Sequence, residues 1–497
     1  MTSIHPLVVY QKARSEVLAR NDLSKESVTD LQQRAKDERK NGQIFIQHIA
    51  TLPFSVILFC EDSLKILHQA IKTNKHIQGY LDATGGVVRR ITESNLLNHC
   101  LVFPIKSNDA NKSSCVLVLA ELITEDNCSY NIENFLRLLK TKFQLLFKDE
   151  RMFRSIVTDK SFANINAIVQ SQNRTTFLEY LKKMYAARMD YNELTDITFV
   201  FLCSSHLAKI WKSDIEKFFN HLDKEDIYFL CALIGNAVNI RRFEDLNIYL
   251  QNLIKLFLHK KADSEYESIL QRLNDAVNDG DDNWIYQINT RIDEQERHSC
   301  IQNIQQPDYE SSKALYKQSP FFIEFHKFME NIKPEGEEDE CEEPNVFFSP
   351  GFIKHFLKNS IAILPLWSAV YFSNGFDTDD QPRRPNNGFV EGHFSSVKNY
   401  FRTNLSWGKL GTIKIGRYVE AMKQKNQNTL TEVQLKIPNK HIMRKQKKSG
   451  LTAANLSAER EQWRGKSKDS STIMFNRENL IQKLGMMLYI RCYFLIY

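Results

Sequence analysis

The chain contains no Cys-x-x-Cys pair. Its nine cysteines (60, 100, 115, 128, 203, 231, 300, 341 and 492) are scattered and odd in number. That distribution argues against a disulfide framework and for a reducing compartment. Long hydrophobic runs are equally scarce. Near the start, only Leu7-Val8-Val9-Tyr10 precedes a return to charge, too short for the apolar region of a secretory signal. The final stretch, Leu484 to Tyr497, has 14 residues and includes Arg491. At about 1.5 Å per residue it falls short of a bilayer core of about 30 Å. A soluble intracellular protein with no membrane partner is expected. No paired Cys/His spacing occurs in residues 1–43, so no zinc finger is expected there.

What remains is an ordinary globular composition: 497 residues, 42% hydrophobic and 25% charged. About three domains follow as a prior from length. The net charge of +6 is unevenly spread, because residues 381–468 carry 19 Lys/Arg against 5 Asp/Glu. A basic C-terminal third on a mildly acidic body points to a polyanionic partner or to a solvated, partly disordered basic tail.

The local patterns give the expected organisation. Residues 1–43 form a polar helical segment. The stretch Tyr80-Leu81-Asp82-Ala83-Thr84-Gly85-Gly86-Val87-Val88-Arg89-Arg90-Ile91 predicts a hairpin, its first strand presenting Asp82 and its β-branched second strand following the Thr-Gly-Gly turn. Strands are predicted at about 100–105 and 115–123, an amphipathic helix from Asn131 to about Phe147, and a short strand ending at Asp159. Thr158 to Ser161 supplies N-cap chemistry for a helix directly after that carboxylate. A buried strand over Ile197–Leu202 runs into Cys203-Ser204-Ser205-His206. Helix is expected throughout 207 to about 330, then an acidic linker (334–345). Val390, Phe394, Val397 and Phe401 fall at i, i+4, i+7 and i+11, predicting a helix with Glu391 at the buried edge of its first turn. His393 is expected on that helix's surface.

Four of these pieces together resemble the Mutator-like and related eukaryotic DDE transposases. They are Asp82-Ala83-Thr84-Gly85, Thr158-Asp159, the C-x2-H pair Cys203/His206, and Asn386-Asn387 ahead of Glu391, with Leu364-Pro365-Leu366-Trp367-Ser368 before that helix. The resemblance spans roughly residues 44–425. It implies an α/β, ribonuclease H-like (retroviral integrase-like) mixed sheet with a large helical insertion between the last core strand and the final catalytic helix. The implied division is a first core part at 44–206, an insertion at 207–333, the linker, a core completion at 346–425, and a basic, partly disordered tail at 426–497.

The resemblance also implies Asp82, Asp159 and Glu391 as catalytic residues and as ligands for Mg²⁺ or Mn²⁺, serving phosphodiester hydrolysis and strand transfer on DNA. Carboxylates gathered in this way repel one another unless cations sit between them. Cys203 and His206 are half of a tetrahedral zinc site or a structural pair, and Cys231 and His221 are the candidates to complete it. Candidate phosphate contacts are Arg383, Arg384, Lys398, Arg402, Arg444, Lys445, Lys447 and Lys448, the last four within a cluster that also suits nuclear import. The implied setting is the nucleus, with transposon ends and target DNA as partners of a homo-oligomer. The alternative is a catalytically silent, host-adopted DNA-binding or chromatin protein on the same fold. Nothing in residues 1–43 looks like the separate DNA-binding module that active relatives carry.

Overall fold

The computed structural model describes residues 28–73, 77–88, 95–105, 115–148, 151–189, 194–278, 316–332, 343–371, 388–404 and 414–436, without the side chains of 276–278, 400–404 and 432–436. Apart from its last two residues, all of this belongs to one compact unit, Met1–Gln434.

Its centre is a mixed seven-stranded sheet. The strands are β1 (Ile46–Thr51), β2 (Phe54–Leu58), β3 (Gln78–Gly85), β4 (Leu97–Ile105), β5 (Cys115–Thr124), β6 (Ser155–Thr158) and β7 (Phe199–Leu202), in the order β1-β2-β5-β4-β3-β6-β7. From β1 to β3 every neighbouring pair is antiparallel. β6 lies parallel to β3, and β7 parallel to β6. β2, β6 and β7 are buried at every residue, as strands covered on both faces must be.

Helix 28–40 (α1) precedes the sheet. α2 (Glu61–Thr73), α3 (Ser129–Phe147) and α4 (Phe162–Asn173) pack against β5, β6 and β7. α5 (Phe177–Ala186) leads to β7, and α6 (Ser204–Phe218) leaves it. α7 (Lys224–Asn236), α8 (Phe243–Leu258), α9 (Ser264–Asn278), α10 (Pro320–Asn331) and α11 (Pro350–Asn359) continue the helical run. α12 (Gly388–Asn404) and α13 (Ile415–Lys436) return to the sheet. There Val397 of α12 and Tyr418, Val419 and Met422 of α13 join Leu31 and Ala35 of α1, Val56, Leu58 and Ile123 in one apolar cluster.

The helical run docks through aromatic side chains. Trp211 and Trp367 meet edge to face at 5.4 Å, and both reach Ser360: the Trp211 indole N–H donates to its Oγ at 2.9 Å and that of Trp367 to its carbonyl at 2.8 Å. The Ile361–Leu366 segment is a buried 3₁₀ turn lying against β7.

Three expectations need correction. The Asp82 strand pairs with β4, whose first residue is Leu97, opposite Gly85. Val87 and Val88, expected to open the second strand, are core residues packed with α12 and α13. Val88 also makes a β-bridge, and residues 89–94, the rest of the expected second strand, lie outside the described residues. The basic tail does not begin at 426, because α13 runs on to Lys436, with Leu430 buried and Asn426 accepting a 3.4 Å hydrogen bond from Ser63. Nor is 28–43 a separate polar segment. Glu38 of α1 accepts from the Phe45 and Ile46 amides at 2.9 and 2.8 Å and pairs with Lys423 at 2.9 Å. Among the described residues no helix is long and apolar enough to cross a membrane. Most of the acidic linker (333–342) lies outside the described residues.

Candidate metal centre

Side chains alternate along a strand, so Tyr80, Asp82 and Thr84 share one face of β3. α12 runs over that face. Its Phe389 ring meets Tyr80 edge to face at 5.1 Å, and Lys398 Nζ donates to Thr84 Oγ1 at 2.9 Å. Glu391 lies between these two contacts in sequence, and its charge acts on Asp82.

Asp159 arrives from the other side. Leu81 of β3 is paired with Thr158 of β6, so Asp82 and Asp159 are the next residues along two parallel neighbours. The turn into α4 fixes the Asp159 carboxylate: Asn164 Nδ2 donates to its Oδ1 at 3.0 Å, and the Thr158 hydroxyl lies 3.3 Å away. Ser161 caps α4 by accepting from the Asn164 amide, which sets Asn164 in place. Asp159 lies just ahead of α4, His206 in the first turn of α6 and Glu391 in the first turn of α12.

α6 supplies the remaining neighbours. Cys203 is its N-cap residue, and its amide donates to the Thr158 carbonyl at 2.7 Å. His206, in the first turn, places Nε2 3.5 Å from Glu391 Oε1. Ligand atoms of Cys203, His206 and Glu391 all lie within 4.8 Å of one another. Thus the third member of the C-x2-H cluster is Glu391 itself. Cys231 and His221, the expected partners, serve elsewhere: His221 Nε2 sits 3.2 Å from the Val346 carbonyl, and buried Cys231 senses Lys212 and Glu216.

The electrostatics are those of an anionic pocket. Burial pushes the Asp82 carboxyl up to about 7, with Asp159 and Glu391 adding to the rise and His206 opposing it. For His206, burial works to lower the pKa, but Cys203, Asp82 and Asp159 outweigh it and raise it to about 9. Both groups therefore hold protons where a cation could replace them. The donor set is chemically divided, with three carboxylates on one side and a thiol and an imidazole on the other. Glu391 belongs to both parts, because it also completes the cluster with Cys203 and His206. An open cleft of about 520 Å³ adjoins the site, lined by Thr84, Gly85, Gly86, Glu391, Ser395 and Lys398 among others. Glu391 is the one member of the acid trio on its wall.

Of the expected phosphate contacts, Lys398 faces this cleft. Arg383, Arg384, Arg444, Lys445, Lys447 and Lys448 lie outside the described residues, as do the side chain of Arg402 and the Asn386-Asn387 pair.

His393 corrects the sequence reading. It is buried rather than on the helix surface, and its Nε2 lies 3.4 Å from Glu121 Oε1 of β5. Cys100, Glu121 and His393 form a second cluster with ligand atoms within 4.8 Å. Its signal in the sequence was a glutamate in the middle of an apolar strand, Val116-Leu117-Val118-Leu119-Ala120-Glu121-Leu122-Ile123. Asn164 was also missed; its signal was a polar residue three positions after a Ser N-cap. No family model, curated protein or solved structure matches this chain.

Proposed function

We propose that the chain is a DDE transposase or transposase-derived nuclease on a ribonuclease H-like core, hydrolysing and transferring phosphodiester bonds of DNA with divalent metal. The observation that carries this reading is that Asp82 on a central strand lies next to Asp159 at the neighbouring strand end, and that the charges of Asp159 and of Glu391, on a late helix, both act on it. The sheet supports it. The five strands β5-β4-β3-β6-β7, three antiparallel followed by two in parallel, have the order expected of a ribonuclease H-like core, with β1 and β2 added at one edge.

The residues fit a hard cation. Asp82, Asp159 and Glu391 offer carboxylate oxygens, the ligands Mg²⁺ and Mn²⁺ take. Bound ions would neutralise charge on the phosphate and activate water or a 3′-hydroxyl. The chain's own side chains position the ligands. Asn164 orients Asp159, His206 holds Glu391 at 3.5 Å, and the packing of Phe389 on Tyr80 sets α12 over β3. Lys398, at the cleft, is placed to meet a backbone phosphate.

A second reading has its own observation. The Cys203/His206/Glu391 cluster has a donor set suited to zinc. If zinc holds Glu391 there, the acid trio is broken and the chain is a catalytically silent DNA-binding protein.

The deciding experiment is nicking of supercoiled DNA by the purified full chain in Mg²⁺ or Mn²⁺, with Asp82→Asn as control. Metal-dependent nicking that the variant lacks supports the nuclease. Equal cleavage by both proteins defeats it, and salt-sensitive binding without cleavage by either selects the silent reading.

A further inference from the structure

The second cluster stands on its own residues. Cys100 of β4 and Glu121 of β5 are directly paired across the sheet, so their side chains sit side by side on one face. His393 descends onto them from α12. The Cys100 thiol lies 3.9 Å from Glu121 Oε1, and His393 Nε2 lies 3.4 Å from the same oxygen. A tetrahedral ion with bonds of about 2.3 Å to sulfur, about 2.0–2.1 Å to nitrogen and about 2.0–2.2 Å to oxygen has edges of about 3.5 Å from S to O and about 3.3 Å from N to O. The observed separations are within a few tenths of an ångström of those edges.

We infer that Cys100, Glu121 and His393 form a structural site for a zinc-class ion, clamping the Glu391-bearing helix to the sheet. Three further observations point the same way. All three residues are buried, with Cys100 0%, Glu121 1% and His393 8% exposed. His393 Nε2 is inaccessible to solvent yet makes no hydrogen bond, an arrangement native interiors avoid. A cavity of about 30 Å³ adjoins the cluster, lined by Glu121, His393, Met422, Lys425 and Asn426 among others. It has room for a water as a fourth ligand.

The chemistry selects the ion. A thiolate, an imidazole and a carboxylate suit zinc rather than magnesium, and the two anionic ligands balance its charge. The surroundings already orient Glu121. The Tyr418 hydroxyl lies 3.2 and 3.3 Å from its two oxygens and accepts in turn from Asn98 Nδ2 at 2.5 Å. Lys425, the nearby cation, keeps a partner of its own at Ser396 Oγ, 3.2 Å away. Its charge also acts on Glu121 and Cys100. Because His393 is two residues from Glu391 on one helix, an ion here would hold the acid trio's last member in place without touching substrate.

The test is Co²⁺ loading of the full-length protein after exhaustive chelation, read by absorption. The expected result is a thiolate-to-cobalt charge-transfer band with tetrahedral ligand-field bands. Cys100→Ser removes the charge-transfer band, or halves it where a second ion sits with Cys203. A wild-type protein without the band, or a Cys100→Ser protein whose band is unchanged, overturns the inference. Should Cys100→Ser fail to fold, His393→Ala carries the test: unchanged ligand-field bands in that variant overturn it as well. The readout is independent of DNA cleavage, so it stands or falls apart from the nuclease reading.

Discussion

Glu391 and His206, with the whole helical run between them in the chain, meet at 3.5 Å in the site. The contact closes a ring of charge in which Asp82 and Asp159 are the other members. In that field Asp82 holds a proton up to about 7, and His206 up to about 9. The same field that binds protons binds divalent ions in competition with them.

Asp82→Asn is therefore expected to stabilise the metal-free protein while abolishing cleavage. The Asp82 pKa is raised on folding, so its contribution to stability is complete below the usual carboxylate value of 3.8 and is lost as pH rises through about 7. In EDTA the variant should match the wild type near pH 4 and exceed it at pH 8, by up to about 4 kcal/mol from a rise of about three units. Denaturant midpoints at the two pH values check this.

At the acid end, His99 acts in the opposite direction. It is fully buried in β4, and burial pushes its pKa down to about 4. Below its usual 6.5 the unfolded chain takes a proton that the folded one refuses. Stability should therefore fall as pH drops from 6.5 towards 4, by up to about 1.4 kcal/mol per unit from this residue alone. His99→Gln, which cannot titrate, should flatten that slope in a pH series of urea melts.

Tyr418→Phe removes one hydroxyl and nothing else. That hydroxyl reaches both Glu121 oxygens and the Asn98 amide in a fully buried position. Leaving such groups without a partner costs about 1–3 kcal/mol. The expected loss, measured by chemical denaturation, is in that range.

Lys398→Ala tests the cleft as a nucleic-acid surface. Removing one phosphate contact should weaken binding to any duplex sequence alike and reduce the log–log salt slope by about 0.9. Titration of labelled DNA at several salt concentrations reads both quantities; an unchanged slope places the DNA elsewhere.

Much of the fold was legible in the sequence because short-range signals agreed with tertiary burial. β6 and the N-cap of α4 at Ser161 fall where the pattern puts them. The helix carrying Glu391 is where its apolar spacing predicts. The misreadings share a cause: long-range packing decided matters the local pattern left open. The Asp82 strand takes its antiparallel partner from the stretch starting at Leu97, beyond the local Thr-Gly-Gly turn. For His393, only the arrival of β5 reveals its buried partner. The Cys203–His206 pair was visible, but its third neighbour comes from a helix far along the chain.

The central claim is that Asp82, Asp159 and Glu391 share bound cations. Calorimetric titration of the full-length protein with Mn²⁺, beside Asp82→Asn, Asp159→Asn and Glu391→Gln, tests it most directly. The account predicts Mn²⁺ binding in the wild type that each of the three substitutions weakens at least about tenfold, or about 1.4 kcal/mol. Binding left unchanged by any one of them contradicts it.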